Sequence, residues 1–261
     1  MISLKVLYKV FSFMLWISLF FILTMVLYPV SFISKDFVKP YLIKIVSFCS
    51  KGILELLNIQ IQTNRKIDKK TYLIVSNHLS YLDVLIISAL HPAAFVTSLE
   101  IKKSLFLGQI ITLAGCLIVN RKDKSRIKEE IECIRNTLRN NISVVVFPEA
   151  TSTNAECVLP FKKPLFESSI ATQTPILPLT LNYKKINGAA FNHLNRDLIC
   201  WYGEMTFLPH FLRILDQNYI EVEIIVHDSF SPTLLTTLEA STHAHTIIKN
   251  SFESVSKCEA L

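Results

Sequence analysis

Residues 76–83 read SNHLSYLD, with His78 three positions after the end of the apolar run Tyr72–Val75 and Asp83 five positions further on. An imidazole can take a proton from a hydroxyl near neutral pH. A carboxylate that accepts a hydrogen bond from one ring nitrogen fixes which of the two is free to do so. If a strand ends near Ser76 and a helix opens near Ser80, His78 lies in the connecting turn. Asp83 then lies in the first helical turn, where the helix dipole favours a carboxylate and from which it can fold back to the ring. The same residues also suit a polar turn in which Asn77 or Ser80 caps the helix. The H-x4-D spacing alone does not separate the two readings.

Three further stretches bring polar groups to the ends of apolar runs. SVVVF (Ser143–Phe147) reads as a buried strand, and PEATSTN (Pro148–Asn154) follows it with a carboxylate, Glu149, and three successive hydroxyls, Thr151, Ser152 and Thr153. IVNR (Ile118–Arg121) ends a strand-like run in an arginine, and PILPLTL (Pro175–Leu181) opens another run with two prolines. Each alone is an ordinary feature: a polar turn, a surface cation, an architectural strand entrance. The histidines supply no metal-ligand spacing: His243 and His245 are two apart on a helical stretch and so face different ways.

These residues need a scaffold, and the scaffold reads as α/β. Short runs rich in β-branched residues recur at Tyr72–Val75, Ala94–Thr97, Cys116–Val119, Ser143–Phe147, Ile176–Leu181, Leu198–Trp201 and Tyr219–Val226. Helical spacing fills Asp83–Leu90, Lys102–Leu113, Lys124–Asn140, Lys163–Thr172 and Phe207–Leu215, and one last helix is expected between Pro232 and Lys257. The alternation predicts a central, mostly buried sheet flanked by helices, with sites at the strand-to-helix turns. Only five glycines occur, and none forms GxGxxG, GxxxxGK or GxSxG. A dinucleotide fold, a P-loop and a nucleophile elbow are disfavoured on that ground. No nucleic-acid-binding pattern appears either.

Ahead of this domain lies FSFMLWISLFFILTMVLYPV (Phe11–Val30), inside a stretch without charged side chains from Val10 to Ser34. It is long enough to cross a hydrocarbon core, and the residues after Tyr28 do not resemble a cleavage site. Tyr41–Gln60 interrupts its apolar residues with Lys44, Lys51 and Glu55, as an amphipathic helix on a membrane surface would. Lysines on both sides of the first run (Lys5 and Lys9 before, Lys35, Lys39 and Lys44 after) fit a one-leaflet hairpin at least as well as a full span. The expected division is therefore 1–62, a membrane-associating helical pair, and 63–261, the α/β domain. Six cysteines without a CxxC pair favour reduced thiols and a cytoplasmic main domain. The net charge of +6 comes in small basic groups, including Lys162-Lys163, that could meet anionic lipid or phosphate.

Taken in order, Asn77-His78…Asp83, Ile118–Arg121, FPEATST (Phe147–Thr153) and PILPLTL resemble the four blocks of the PlsC-like glycerolipid acyltransferases. The likeness runs from about Tyr72 to Leu181, and VLPFK (Val158–Lys162) and WYGEMTFLPH (Trp201–His210) match a bacterial branch more loosely. The resemblance implies transfer of a fatty acyl group from acyl-CoA or acyl carrier protein to the free hydroxyl of a lysophospholipid. The acceptor would be 1-acylglycerol-3-phosphate in the first place. It also implies no cofactor and no metal, a membrane-lipid substrate, and a bacterial inner-membrane location. His78 would be the general base and Asp83 its orienting partner. Asn77, Arg121, Glu149, Ala150, Thr151, Ser152 and Lys162 would bind the acceptor. Two positions depart from the family pattern: Ala150 stands where the family's EGT has glycine, and Ser152 where many members have arginine. They leave open lyso-ornithine lipid or another lysolipid as acceptor, or a non-catalytic lipid-binding member of the fold.

Overall fold

The computed structural model describes residues 4–31, 34–104, 106–120 and 127–255. The chain opens with α1 (Leu4–Ser31) and α2 (Lys35–Leu57), followed by β1 (Ile59–Thr63) and β2 (Leu73–Ser76). Then come α3 (Leu82–Leu90), β3 (Ala94–Ser98), α4 (Leu99–Lys102), α5 (Leu107–Leu113) and β4 (Leu117–Val119). Next are α6 (Ile127–Arg139), β5 (Val144–Val146), α7 (Phe166–Thr172), β6 (Ile176–Ile186) and the two-residue β7 (Ala189–Ala190). The chain closes with α8 (Phe207–Asp216), β8 (Ile220–Val226) and α9 (Thr237–Ser251).

Seven strands form one sheet in the order β1-β8-β6-β2-β5-β3-β4, and β7 pairs with the end of β6. The run β6-β2-β5-β3-β4 is parallel, β8 is antiparallel to β6, and β1 is parallel to β8. Strand side chains alternate between two cores, as the pleat requires. Leu73, Val75, Val144 and Val146 face a core closed by α6, α7 and α9, whereas Ile74, Val145, Leu177 and Leu179 face one closed by α1, α2, α3 and α8. Helices therefore cover both faces, which is why these strands are apolar on both sides and read as continuous runs. After β2 the chain goes to one side of that strand and, after β5, to the other. The carboxyl ends of β2 and β5 thus lie at a topological switch point.

Four expectations change. The helical reading of Tyr41–Gln60 ends early because Asn58 adopts a left-handed conformation (φ 54°, ψ 47°), and the chain turns into β1. β1 pairs with β8 from Ile59 onward, so the boundary expected between 62 and 63 falls inside a sheet strand. Leu198–Trp201 is no strand. A short 3-10 turn, Arg196–Leu198, leads into an extended segment whose Trp201 N–H donates to the Leu79 carbonyl, so Trp201 serves the site and not a ladder. The expected helix Lys102–Leu113 is divided into α4 and α5. There the Gly108 backbone packs on the Lys102 carbonyl so closely that a Cβ would stand 2.1 Å from its oxygen.

α1 and α2 form an antiparallel pair, with Trp16 lying over Gly52 and against Phe48 and with Leu23 and Leu27 near Tyr41 and Ile45. Among the described residues one helical stretch, Leu4–Leu27, is long and apolar enough to cross a membrane, by length and composition. Its first turns are joined to the α/β domain. Phe13 packs on Phe211, the buried Lys9 donates to the Gln217 carbonyl at 2.7 Å, and Lys5 donates to Asn218 at 2.6 Å and to the Asp216 carbonyl. Gly52→Leu would force the Trp16 ring off α2, since a Cβ there already meets it at 2.0 Å. Expected is a loss of about 1–3 kcal/mol in unfolding free energy, with weakened near-ultraviolet tryptophan dichroism and faster proteolysis within α1.

Candidate active site

The turn after β2 is built around a buried carboxylate. Asp83 is fully inaccessible. Its Oδ2 accepts from the backbone N–H of Leu79 (2.7 Å) and Ser80 (2.9 Å) and faces His78 Nδ1 at 2.9 Å. Its Oδ1 accepts from the Tyr183 hydroxyl at 2.9 Å. A carboxylate in such a nest only accepts, so His78 Nδ1 must donate, and Nε2 keeps its lone pair. The ring lies flat on Phe147, centroids 4.0 Å apart and planes 13° apart. It remains 20% exposed, and Nε2 has no hydrogen-bond partner among the described residues. The capped-turn alternative does not hold: the α3 N-cap is Tyr81, with no side-chain cap bond, and Asn77 and Ser80 cap nothing.

The turn after β5 grips this first turn. Glu149 is buried. One of its oxygens accepts the backbone N–H of His78 at 2.8 Å and the other that of Leu159 at 2.7 Å. On the other side of the peptide unit, the Thr153 N–H donates to the His78 carbonyl at 2.9 Å. His78 is thus held from both its own N–H and its own C=O, which fixes the ring's base without touching its chemistry. Burial pushes the Glu149 carboxyl up to about 7, opposed in part by the two N–H donors and assisted by nearby Asp83.

The remaining expected site residues are placed as follows. Asn77 is buried, and its amide completes a two-way pairing with β6: Nδ2 donates to the Leu181 carbonyl (2.9 Å) and Oδ1 accepts from the Leu181 N–H (2.8 Å). The side chain expected to meet the acceptor therefore holds β2 to β6. The Ser152 hydroxyl donates to the Trp201 carbonyl, which ties the PEATST turn to the 199–206 segment. Thr151 is exposed. Ala150 and Lys162 line a groove together with Val96, Val119, Phe147, Pro148 and Leu165. Phe147 lines this groove and also carries the His78 ring. Arg121 lies outside the described residues. No group of three or more potential metal-ligating side chains occurs among the described residues.

Two contributors were not legible in the sequence. Tyr183, a hundred positions from Asp83, reaches it only because β6 runs beside β2 and continues past it. Phe147 was read as a strand residue, and nothing in its neighbourhood signals that it would carry the His78 ring.

A family model described as acyltransferase matches residues 58–182. The chain is 27% identical over 177 residues to a lyso-ornithine lipid O-acyltransferase of Rhizobium meliloti, covering 65% of this chain and 61% of that protein. It is 32% identical over 135 residues to a 1-acyl-sn-glycerol-3-phosphate acyltransferase of Neisseria meningitidis, covering 51% and 53%. Each alignment spans less than two thirds of the relative. The fold is similar to that of the crystal structure of the 1-acyl-sn-glycerophosphate (LPA) acyltransferase PlsC from Thermotoga maritima, with a TM-score of 0.60 at 17% identity, covering 93% of this chain and 95% of that one.

Two outcomes follow from the turn after β5. Ala150 has φ 64°, a conformation that favours glycine. Ala150→Gly should raise unfolding free energy by about 0.5–1 kcal/mol, read as a higher denaturant midpoint. Glu149 titrates higher in the folded than in the unfolded chain. Its contribution is present in full below the unfolded carboxyl range and is lost as pH rises through about 7. Relative to Glu149→Gln, which does not titrate, the wild type should lose on the order of 3 kcal/mol of stability between pH 4.5 and pH 8. Parallel stability curves for the two proteins over that range would contradict this.

Proposed function

Since the chain belongs to the acyltransferase family, carrying its domain over residues 58–182, we propose that it moves a fatty acyl group from a thioester donor to the free hydroxyl of a lysolipid. The observation that carries the reading is the His78–Asp83 pair: a ring fixed through Nδ1 by a saturated buried carboxylate, with Nε2 open to an incoming hydroxyl. His78 Nε2 takes the hydroxyl proton as the oxygen attacks the thioester carbonyl. The tetrahedral adduct then collapses, the C–S bond breaks, and the imidazolium returns the proton to the departing thiolate. Asp83 stabilises the imidazolium between the two steps. Acyl-CoA or acyl carrier protein supplies the thioester, and neither a cofactor nor a metal takes part.

The acceptor in this reading is a lysophospholipid, with 1-acylglycerol-3-phosphate in the first place. Thr151, Lys162 and Arg121 are assigned to the headgroup, and Asn77, Glu149 and Thr153 to holding the base. A lyso-ornithine acceptor is favoured by one specific observation: where a cation would serve a phosphate, Ser152 instead spends its hydroxyl on the Trp201 carbonyl. Similarity to the Rhizobium meliloti protein points the same way.

The membrane attachment that suits such substrates is assigned to the helical pair as a one-leaflet hairpin. α2 touches the domain near both ends, through Lys39 Nζ on Thr137 Oγ1 (2.7 Å) and through its packing on α3 and β1, so it lies along the domain. The pair turns many apolar side chains outward, Leu7, Phe11, Leu15, Ile22 and Met25 on α1 and Phe37 and Phe48 on α2, with Lys44, Lys51 and Glu55 also exposed on α2. Cys49, Cys116, Cys133 and Cys200 are free thiols, which suits a catalytic domain on the cytoplasmic side of a bacterial inner membrane.

Purified protein supplied with labelled acyl-CoA or acyl carrier protein and a panel of lysolipids tests the reading. His78→Ala should lower acyl transfer by roughly 10²–10⁴-fold while leaving membrane association intact. Turnover at the wild-type rate in that variant would remove the general-base role. No product from the wild type with any donor–acceptor pair would remove the activity.

A further inference from the structure

The base is oriented by Asp83, and Asp83 is itself oriented by a residue from another strand. We propose that Tyr183 is a positioning residue for the reaction: its hydroxyl locks the Asp83 carboxylate and sets how strongly that carboxylate holds the His78 ring.

The geometry divides the carboxylate into two ends. Oδ2 serves the local turn, taking the Leu79 and Ser80 N–H groups and the His78 ring. Oδ1 has one hydrogen-bond partner among the described residues, the Tyr183 hydroxyl at 2.9 Å. Both side chains are buried, at 0% and 3% exposure, so water does not substitute for the phenol. The Tyr183 ring is anchored in turn against Phe191, and its strand is registered on β2 by the Asn77–Leu181 pairing two residues earlier. A rotation of the carboxylate about its Cβ–Cγ bond would break the Oδ1 bond and move Oδ2 off the ring. The phenol therefore opposes that rotation.

The phenol is also an electrostatic lever. Burial, reinforced by the Asp83 charge, holds its ionisation well above the ordinary tyrosine range, so it stays a donor throughout the working pH. A donor on Oδ1 withdraws charge from the carboxylate and weakens its grip on the imidazolium proton. Removing the donor should make the imidazolium more stable, and strengthening the donor should make it less so. Other titratable groups face the dyad: Glu149 from the turn after β5, Cys200 from the segment before α8, and Tyr81 from the dyad's own turn, itself bonded to His210 on α8. Substitutions confined to the Tyr183 ring leave the hydrogen bonds of Glu149 and Tyr81 in place. Differences between Tyr183 variants therefore report the dyad.

Two variants push in opposite directions. Tyr183→Phe deletes the donor, and 3-fluorotyrosine incorporated at 183 keeps the shape with a more acidic phenol. The full-length protein is assayed for acyl transfer from labelled acyl-CoA across pH, and the His78 ring is titrated by ¹⁵N NMR, its signal assigned by loss in His78→Gln. For Tyr183→Phe, kcat should fall roughly five- to twentyfold, with KM for both substrates within about twofold. The acid limb and the His78 midpoint should rise by about 0.5 pH unit, and 3-fluorotyrosine should move both downward. A purely structural tyrosine would lower the melting temperature of the Phe variant and leave the pH profile unmoved. If Tyr183→Phe does not fold, the fluorinated protein decides alone. His78 midpoints that stay with the wild type, or that move in the same direction in both variants, overturn the proposal. The kinetic consequences rest on the acyl-transfer reading, but the NMR titration does not. A wild type inactive with every acceptor would fault that reading and still leave Tyr183 to be judged.

Discussion

A charged carboxylate sealed inside the protein is the constraint around which this site is arranged. Asp83 has no access to water and meets four donors, three from its own turn and one from β6. Leaving such a group short of partners costs several kcal/mol, so the surrounding backbone is obliged to supply them. This explains why residues 77–81 follow no regular path: the Leu79 and Ser80 N–H groups must turn inward to the carboxylate before α3 can begin. It also ties the turn to the register of β6, because only one alignment of that strand brings the Tyr183 hydroxyl to Oδ1.

A second carboxylate, Glu149, extends the same logic to the neighbouring strand. It accepts one N–H from the turn after β2 and one from its own loop, so the two strand ends are joined through a side chain where no ladder bond is available. The pair of carboxylates divides the work. Asp83 contacts the ring and governs its tautomer, while Glu149 contacts the peptide and governs its position. Their mutual repulsion helps push Glu149 upward, and its two N–H donors restrain that shift. The loop that carries Glu149 keeps alanine in a left-handed conformation at 150, a local strain borne beside the groove that Phe147 lines.

The apolar helices are coupled to this centre. α2 packs along α3, the helix that begins with the Asp83 turn, and α1 reaches the domain again through Phe13 and Phe211 on α8. α8 carries His210, which meets Tyr81 in the dyad's own turn. The surface proposed to sit in lipid and the turn that holds the base therefore share one hydrophobic core.

Periodicity and composition were enough to place most of the parallel strands, the helices between them and the apolar pair at the start, because burial on both faces leaves uninterrupted β-branched runs. They failed where a single backbone conformation decides: Asn58 turns a helical pattern into β1, and Leu198–Trp201 looks like a strand but finds no partner strand. At the site, the His78–Asp83 contact could be anticipated because both residues lie within one short turn, where chain connectivity alone brings them close. The fate of Asn77, Glu149 and Ser152 could not, since their partners include backbone groups of Leu181, His78 and Trp201 supplied by other segments. Tyr183 is the extreme case: a hundred residues separate it from Asp83, and only the pairing of β6 with β2 converts that separation into 2.9 Å. Local sequence determined which residues could do proton-transfer chemistry; the sheet decided which of them are saturated and buried and which one is left open, because that depends on donors that reach them only across strands.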